Sequence, residues 1–265
     1  MTSSATDLFV KNAHGDMTLL NKELIIGDVY FVDSASANAG DSIHHGQSSE
    51  KPFATLAYAV TQTITAHGDW IVLSPNHAET VDAAADIDIV AAMDGLTIAG
   101  AAGRTQDYPT ITFATDVNAD INIDGEGTVF KRIYFVNTMD ACVVPLDVNA
   151  PGCEFHDCIF EDDGADNTLT WIAVAAAAHE FRCVNCINKG TDTAGNNQFI
   201  AFAGASAHCE IINLQSNGDF AVGNIDCAAA VTNIRVQACH LETLNAAGVN
   251  MEGFAAATGF FADNA

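Results

Sequence analysis

The sequence predicts an all-β chain, a right-handed single-stranded parallel β-helix with an N-terminal capping helix. Three observations lead there: a six-residue pattern that repeats along the chain, a second apolar register that travels with it, and an amphipathic segment ahead of both.

The repeat is plainest in Cys153-Glu-Phe-His-Asp-Cys158, Phe181-Arg-Cys-Val-Asn-Cys186, Cys209-Glu-Ile-Ile-Asn-Leu214 and Ile234-Arg-Val-Gln-Ala-Cys239. It extends back to Thr128–Ile133 and, more weakly, to Leu96–Ala101, with successive copies starting 32, 25, 28, 28 and 25 residues apart. The first, third and sixth places are apolar or small, a strand-like alternation broken by a bend after the third. Nine residues before each copy stand Ile87, Ala119, Val144, Ile172, Ile200 and Ile225. Seven before stand Ile89, Ile121, Leu146, Val174, Phe202 and Cys227, and five before stand Ala91, Ile123, Val148, Ala176, Gly204 and Ala229. Registers held at a fixed offset describe one coil of chain stacked on itself. Length changes at Glu161–Thr168 and Lys189–Asn197 fall in loops, where insertion costs little. Leucine-rich repeats need their own Leu and Asn spacing and helical repeats a period of 3.6; neither is present.

The N-terminal part reads differently. Asp28–Asp33 looks like an opening strand, followed by a polar loop through Gly46. Lys51-Pro-Phe-Ala-Thr-Leu-Ala-Tyr-Ala-Val60 has Pro at a helix start and apolar residues at 53, 56, 57 and 60, which predicts a helix over about 52–65. Laid across the first rung, it would cover core and unpaired strand edge. His67–Ser74 is a turn into a strand. The chain thus divides into an N-terminal arm, 1–27, able to serve as an anchor, and one β-helix domain, 28–265. The apolar finish Phe254–Phe261 has no evident capping helix, leaving it to be covered by a subunit or a shell.

Asp and Glu number 34 against 9 Lys and Arg, a formal charge of -25. Such a surface repels phosphate, so nucleic acid is not an expected partner. It suits solubility, or binding of cations or a basic partner. No apolar run approaches the roughly 20 residues of a membrane span, and no membrane partner is expected. Residues 1–7 lack the basic start and apolar stretch of a secretory leader, which predicts synthesis in a cytoplasm.

Of 8 cysteines, Cys153, Cys158, Cys183, Cys186, Cys209, Cys227 and Cys239 fall on inward columns, and Cys142 continues one by alternation. They read as small buried hydrophobes. Cys183-Val-Asn-Cys186 occupies the places held by Phe155 and Cys158, or Ile211 and Leu214, in other copies. It is a core pair and not a redox or zinc motif.

The order Val32-Asp33, a Gly-containing polar loop, Pro52-Phe-Ala-Thr-Leu-Ala57, then Gly68-Asp-Trp-Ile-Val-Leu73 followed by Pro75 resembles the opening of pectin-lyase-like right-handed β-helix proteins. The rungs extend the likeness to the C-terminus. It departs at Ser74-Pro-Asn-His-Ala-Glu79, where many relatives carry Pro-Gly-x-Tyr. The family is common among bacterial surface proteins and tailed-phage virion proteins, including tailspikes and capsid-decorating proteins. Its polysaccharide lyases hold acidic sugar through carboxylate-bound Ca²⁺ and abstract a proton with Arg or Lys.

The candidates for such chemistry are few. Arg182 and Arg235 occupy the outward place taken by Glu154 and Glu210 in intervening copies, predicting an alternating charge ladder at a rung spacing of about 4.8 Å. Arg132 stands at a bend beside Lys131, and Arg104 lies in a Gly-rich turn; neither has an acidic constellation. Glycoside hydrolysis needs two carboxylates about 5–9 Å apart, a pairing that 34 acids produce by chance. Glu161-Asp-Asp-Gly-Ala-Asp166 lacks the spacing of a full calcium loop and reads as solvated. His44-His45 reads as exposed. No phosphate loop, nucleophile elbow or Cys/His dyad is present, so no catalytic, cofactor-binding or metal residue is assigned. The resemblance and the poverty of candidates lead to a non-enzymatic structural protein of a tailed-phage particle. It would be a capsid-decorating or cementing homo-oligomer, dimer or trimer, held to a major capsid protein on the virion surface. The alternative is a carbohydrate-active enzyme, a tailspike-like depolymerase or lyase. A bacterial adhesin would carry an export signal.

Overall fold

The computed structural model describes residues 9–11, 17–19, 27–163, 167–190, 196–227, 231–245, 249–253 and 258–262. Among these, the chain winds as a right-handed parallel β-helix. Sheet 1 stacks Val29–Val32, Trp70–Leu73, Thr97–Gly100, Val129–Lys131, Glu154–His156, Arg182–Val184, Glu210–Ile212, Thr232–Gln237 and Thr258–Ala262. Sheet 2 runs from Ala78–Val81 through Thr110–Phe113, Tyr134–Asn137, Ile159–Asp162, Ile187–Lys189 and Gln215–Gly218 to His240–Thr243. Sheet 3 runs from Ile87–Ile89 through Ile121–Ile123, Leu146–Val148, Thr170–Val174, Asn196–Phe202 and Phe220–Asp226 to Val249–Glu252. All pairing between rungs is parallel. Within the arm, Phe9–Lys11 and Met17–Leu19 form an antiparallel pair; the rest of it lies outside the described residues.

The six-residue copies are the sheet-1 strands with the start of sheet 2, and their first, third and sixth places are buried from Thr128 to Cys239. The bend is built by one residue. Arg132, Asp157, Asn185, Asn213 and Ala238, each in the fifth place, have φ between 53° and 56°. Left-handed backbone costs an ordinary residue about 1–2 kcal/mol, less for Asn and Asp. Their side chains stack: Asn185 Nδ2 donates to Asp157 Oδ1 at 3.2 Å, and Asn213 Nδ2 to Asn185 Oδ1 at 3.0 Å. A second left-handed column precedes sheet 1. It holds Gly68, Gly95, Gly127 and Gly152, then continues as Glu180, His208 and Asn233 at φ of 60°, 59° and 56°.

The second register needs correction. Ile87 pairs with Ile121, Leu146, Ile172, Ile200 and Ile225, so the residues seven before each copy are not one column throughout. The turn into sheet 1 is two residues shorter after Ile123 and Val148 than after Ile89 or Val174. A shift of two keeps side chains on their original face. Burial in these two registers therefore follows the sequence reading although rung partners do not, except at Val144, which is half-buried ahead of its strand. The column five before each copy fails as an inward column. Ile123 and Val148 are buried, but Ala91 and Ala176 are exposed turn residues and Ala229 lies outside the described residues.

The capping helix is shorter than the predicted 52–65, spanning Leu56–Gln62. Pro52 and Phe53 are extended instead: Phe53 N donates to Phe31 O and Phe53 O accepts from Asp33 N. Helix begins only after Thr55, whose Oγ1 accepts from Tyr58 N. Leu56, Ala59 and Val60 are buried where the helix meets the first strands of sheets 1 and 3. At the other end, Thr258–Ala262 adds a strand to sheet 1, while 254–257 lie outside the described residues.

Inside, aromatic rings stack from rung to rung. Phe130 lies on Phe155 at 5.1 Å, and Phe135 on Phe160 at 5.3 Å. Phe160 also meets Trp171 and Phe199 edge-on at 5.6 and 5.1 Å. Truncation there leaves a cavity that a rigid stack cannot close, so Phe160→Ala is expected to cost roughly 3–5 kcal/mol in urea unfolding. In the same assay Glu180→Gly, which relieves a left-handed residue, is expected to stabilise by roughly 0.5–1 kcal/mol.

Candidate functional site

The strands of sheets 1 and 2 carry Lys131, Arg182, Arg235 and Lys189, the basic side chains best placed to act together on the surface. In sheet 1, Glu154, Arg182, Glu210 and Arg235 are direct register partners. Arg182 donates from Nη1 to Glu154 Oε1 at 3.2 Å and from Nε to Glu210 Oε2 at 3.0 Å. Arg235 Nη1 reaches Glu210 Oε1 at 3.5 Å, and its Nε bonds Gln237 Oε1 at 2.9 Å. The predicted ladder is therefore present. His156, two places along its strand, closes onto Glu154 Oε2. The His156 contact is the largest influence on Glu154; with the Arg182 charge it outweighs burial and holds the carboxyl below its ordinary value. Burial disfavours charge on Arg182, but its two glutamates outweigh that and raise its pKa.

Sheet 2 carries a smaller group. Lys189 Nζ donates to Glu161 Oε2 at 2.7 Å and sits 5.5 Å from the Tyr134 ring centroid. Burial, then the hydrogen bond to Glu161, raises the Tyr134 phenol. Burial pushes Glu161 up, yet bonds from Lys189 and Tyr134 outweigh it and leave its carboxyl low. Glu161, read from sequence as part of a solvated loop, is thus an ion-paired strand residue, and Asp162 beside it is buried. The structure splits that acidic motif; Asp166 lies outside the described residues.

Other sequence candidates fall apart in space. Arg104 precedes the turn Thr105–Asp107 in the loop joining sheets 1 and 2. Arg132 occupies a left-handed corner, and Lys131 Nζ lies 5.8 Å over the Trp70 ring. His45 Nδ1 is 2.7 Å from Ser42 Oγ and braces the polar loop, while His44 is exposed. One grouping was not legible in sequence: Asp28, His67 and Asp69 bring three potential ligand atoms within 4.8 Å of one another. Asp69 is committed there to structure. Its Oδ1 accepts from Asp28 N and meets His67 Nδ1, both at 2.7 Å, and its Oδ2 accepts from Ile64 N at 2.7 Å.

All eight cysteines are free and buried. Burial pushes Cys142, Cys153 and Cys227 up to about 12, and Cys158 and Cys186 well above an ordinary thiol. Cys186 Sγ donates toward Phe155 O and Val184 O, both at 3.5 Å, filling the core place expected of it.

The fold class is the parallel β-helix. A solved rhamnogalacturonan lyase is similar over 88% of this chain and 62% of that one, with a TM-score of 0.56 and 14% identity. At that identity the likeness shows the fold alone, and this chain spans less than two thirds of the lyase chain. No family model matches the chain, and no curated protein matches it by sequence.

Two outcomes follow. A thiol reagent at pH 8 is expected to leave the native cysteines unmodified and to titrate all eight in denaturant; rapid native labelling would contradict their burial. Because Glu154 has a lowered folded pKa, its pairing contributes stability above the unfolded value of about 4.3, which is lost as pH falls through the folded value. The stability advantage of wild type over Glu154→Gln is expected to shrink as pH falls below about 4.3 through the folded value, and to vanish in strong acid.

Proposed function

We propose that this protein is a non-enzymatic structural component of a tailed-phage particle, a capsid-decorating or cementing protein displayed on the virion. On this reading it is made in the host cytoplasm, associates as a dimer or trimer, and contacts a major capsid protein. One observation carries the reading: three of the cations on the outward face, Arg182, Arg235 and Lys189, are spent within the stack. Arg182 is shared between Glu154 and Glu210, Arg235 between Glu210 and Gln237, and Lys189 is held by Glu161. Side chains that would grip an acidic sugar or take its proton instead hold rungs in register. The remaining acidic surface suits a stiff body standing in water.

A second reading, a carbohydrate-active β-helix enzyme, draws support from the similarity to a rhamnogalacturonan lyase. The two readings separate in one experiment with the full chain. Purified protein is added to phage particles lacking it and, in parallel, to host capsular and cell-wall glycans. The structural reading expects saturable, stoichiometric binding to the particles and glycans of unchanged length. Shortened glycans without particle binding would overturn it in favour of the enzyme.

A further inference from the structure

Asp162 ends the sheet-2 strand Ile159–Asp162 and is 4% exposed. Its hydrogen-bond partners among the described residues are all neutral. Thr168 Oγ1 lies at 2.6 Å, Asn196 Nδ2 at 3.0 Å and Asn137 Nδ2 at 3.4 Å, and Trp171 Nε1 stands nearby outside ordinary hydrogen-bond geometry. Burial is the largest influence on this carboxyl and raises its pKa against those donors. A lone buried carboxylate is costly unless a positive centre accompanies it.

Three buried amides of this part of the stack keep an unused acceptor. Asn167, Asn188 and Asn196 spend their amide NH₂ groups on Asp140, Ser216 and Asp162 respectively. Each keeps a buried Oδ1 with no partner, and all three residues are at least nine-tenths buried. Asn167 adjoins Thr168, and Asn188 lies one rung beyond Phe160, two places before Asp162. Amide geometry separates oxygen from nitrogen by about 2.2 Å, so Asn196 Oδ1 lies within about 5 Å of Asp162 Oδ2. Oxygens ligating one Ca²⁺ at about 2.3–2.6 Å can be that far apart. A water molecule offers two protons; the orphan Asn196 oxygen beside a buried carboxylate is matched by a cation, which takes lone pairs from both. Outward acids such as Asp88 and Asp124 differ, since both accept from Asn122 at the surface.

We propose that Asp162, Thr168 and Asn196 form the core of an interior site for a hard, oxygen-coordinated cation at the corner between sheets 2 and 3. Such an ion would balance the buried carboxylate and tie together the two segments that meet there. This inference does not depend on the particle role, since it concerns the inside of the solenoid.

The test uses the full chain, stripped with chelator and held at constant ionic strength. Adding CaCl₂ is expected to raise Tm saturably in the wild type and in the surface control Asp163→Asn, with the rise lost in Asp162→Asn. Equal responses from all three proteins, or none from any, would overturn the site. Because Asp162→Asn can fail to fold, a second measurement uses Tb³⁺ luminescence excited through tryptophan. Wild type is expected to give emission that Ca²⁺ competes away. Trp171→Phe, which retains Trp70, is expected to lose it. Absent wild-type emission, or undiminished emission in Trp171→Phe, would refute the proposal.

Discussion

The structure depends on in-register parallel stacking, in which each strand's backbone donors and acceptors are satisfied only by the rungs on either side. A rung alone has a few short strands and no closed core. The neighbour supplies its hydrogen bonds, covers its aromatic rings and sets which charge faces which. Phe130 on Phe155 and Glu154 on Arg182 express the same register, one inside and one outside. Anything that shifts one column by a residue breaks both.

This dependence explains how much could be read from the sequence. Inward places were legible because burial on a period of two leaves a mark in residue type, and Cys158, Cys186 and Cys239 filled the places expected of them. The Glu/Arg alternation was legible because the copies line up across sheet 1. Rung partners in sheet 3 were not, since the turn preceding sheet 1 changes length by two residues and leaves the inward pattern untouched. The helix start was misplaced because Pro52 suits both a helix and the extended segment that it actually opens. The left-handed corners were half visible: glycines mark the first four, but Glu180 and His208 give no sign of one.

The polar groups divide by location. Outside, carboxylates and guanidinium groups alternate and neutralise one another, so each pair contributes little alone while like-charge neighbours are avoided. At the N-terminal end, carboxylates act as caps. Glu79 accepts from Leu56 N and Ala57 N, and Asp41 accepts from Ala54 N and Thr55 N at 2.9 and 3.2 Å. These roles were invisible in the sequence because they join segments 13 to 23 residues apart. Inside, Asp162 is one of several buried polar side chains in a mostly apolar core, and its neighbours are short amides and a hydroxyl that sequence patterning treats as loop residues.

The claim that outward charges serve rung register is tested most directly by the unfolding free energy of Arg182→Glu compared with full inversion of the ladder. Arg182→Glu places three acids in succession between His156 and Arg235 and is expected to lose roughly 1–3 kcal/mol. Inverting all four residues together, Glu154→Arg, Arg182→Glu, Glu210→Arg and Arg235→Glu, restores alternation and is expected to recover most of that loss. An Arg182→Glu protein as stable as wild type, or an inverted ladder no better than the single variant, would contradict the account.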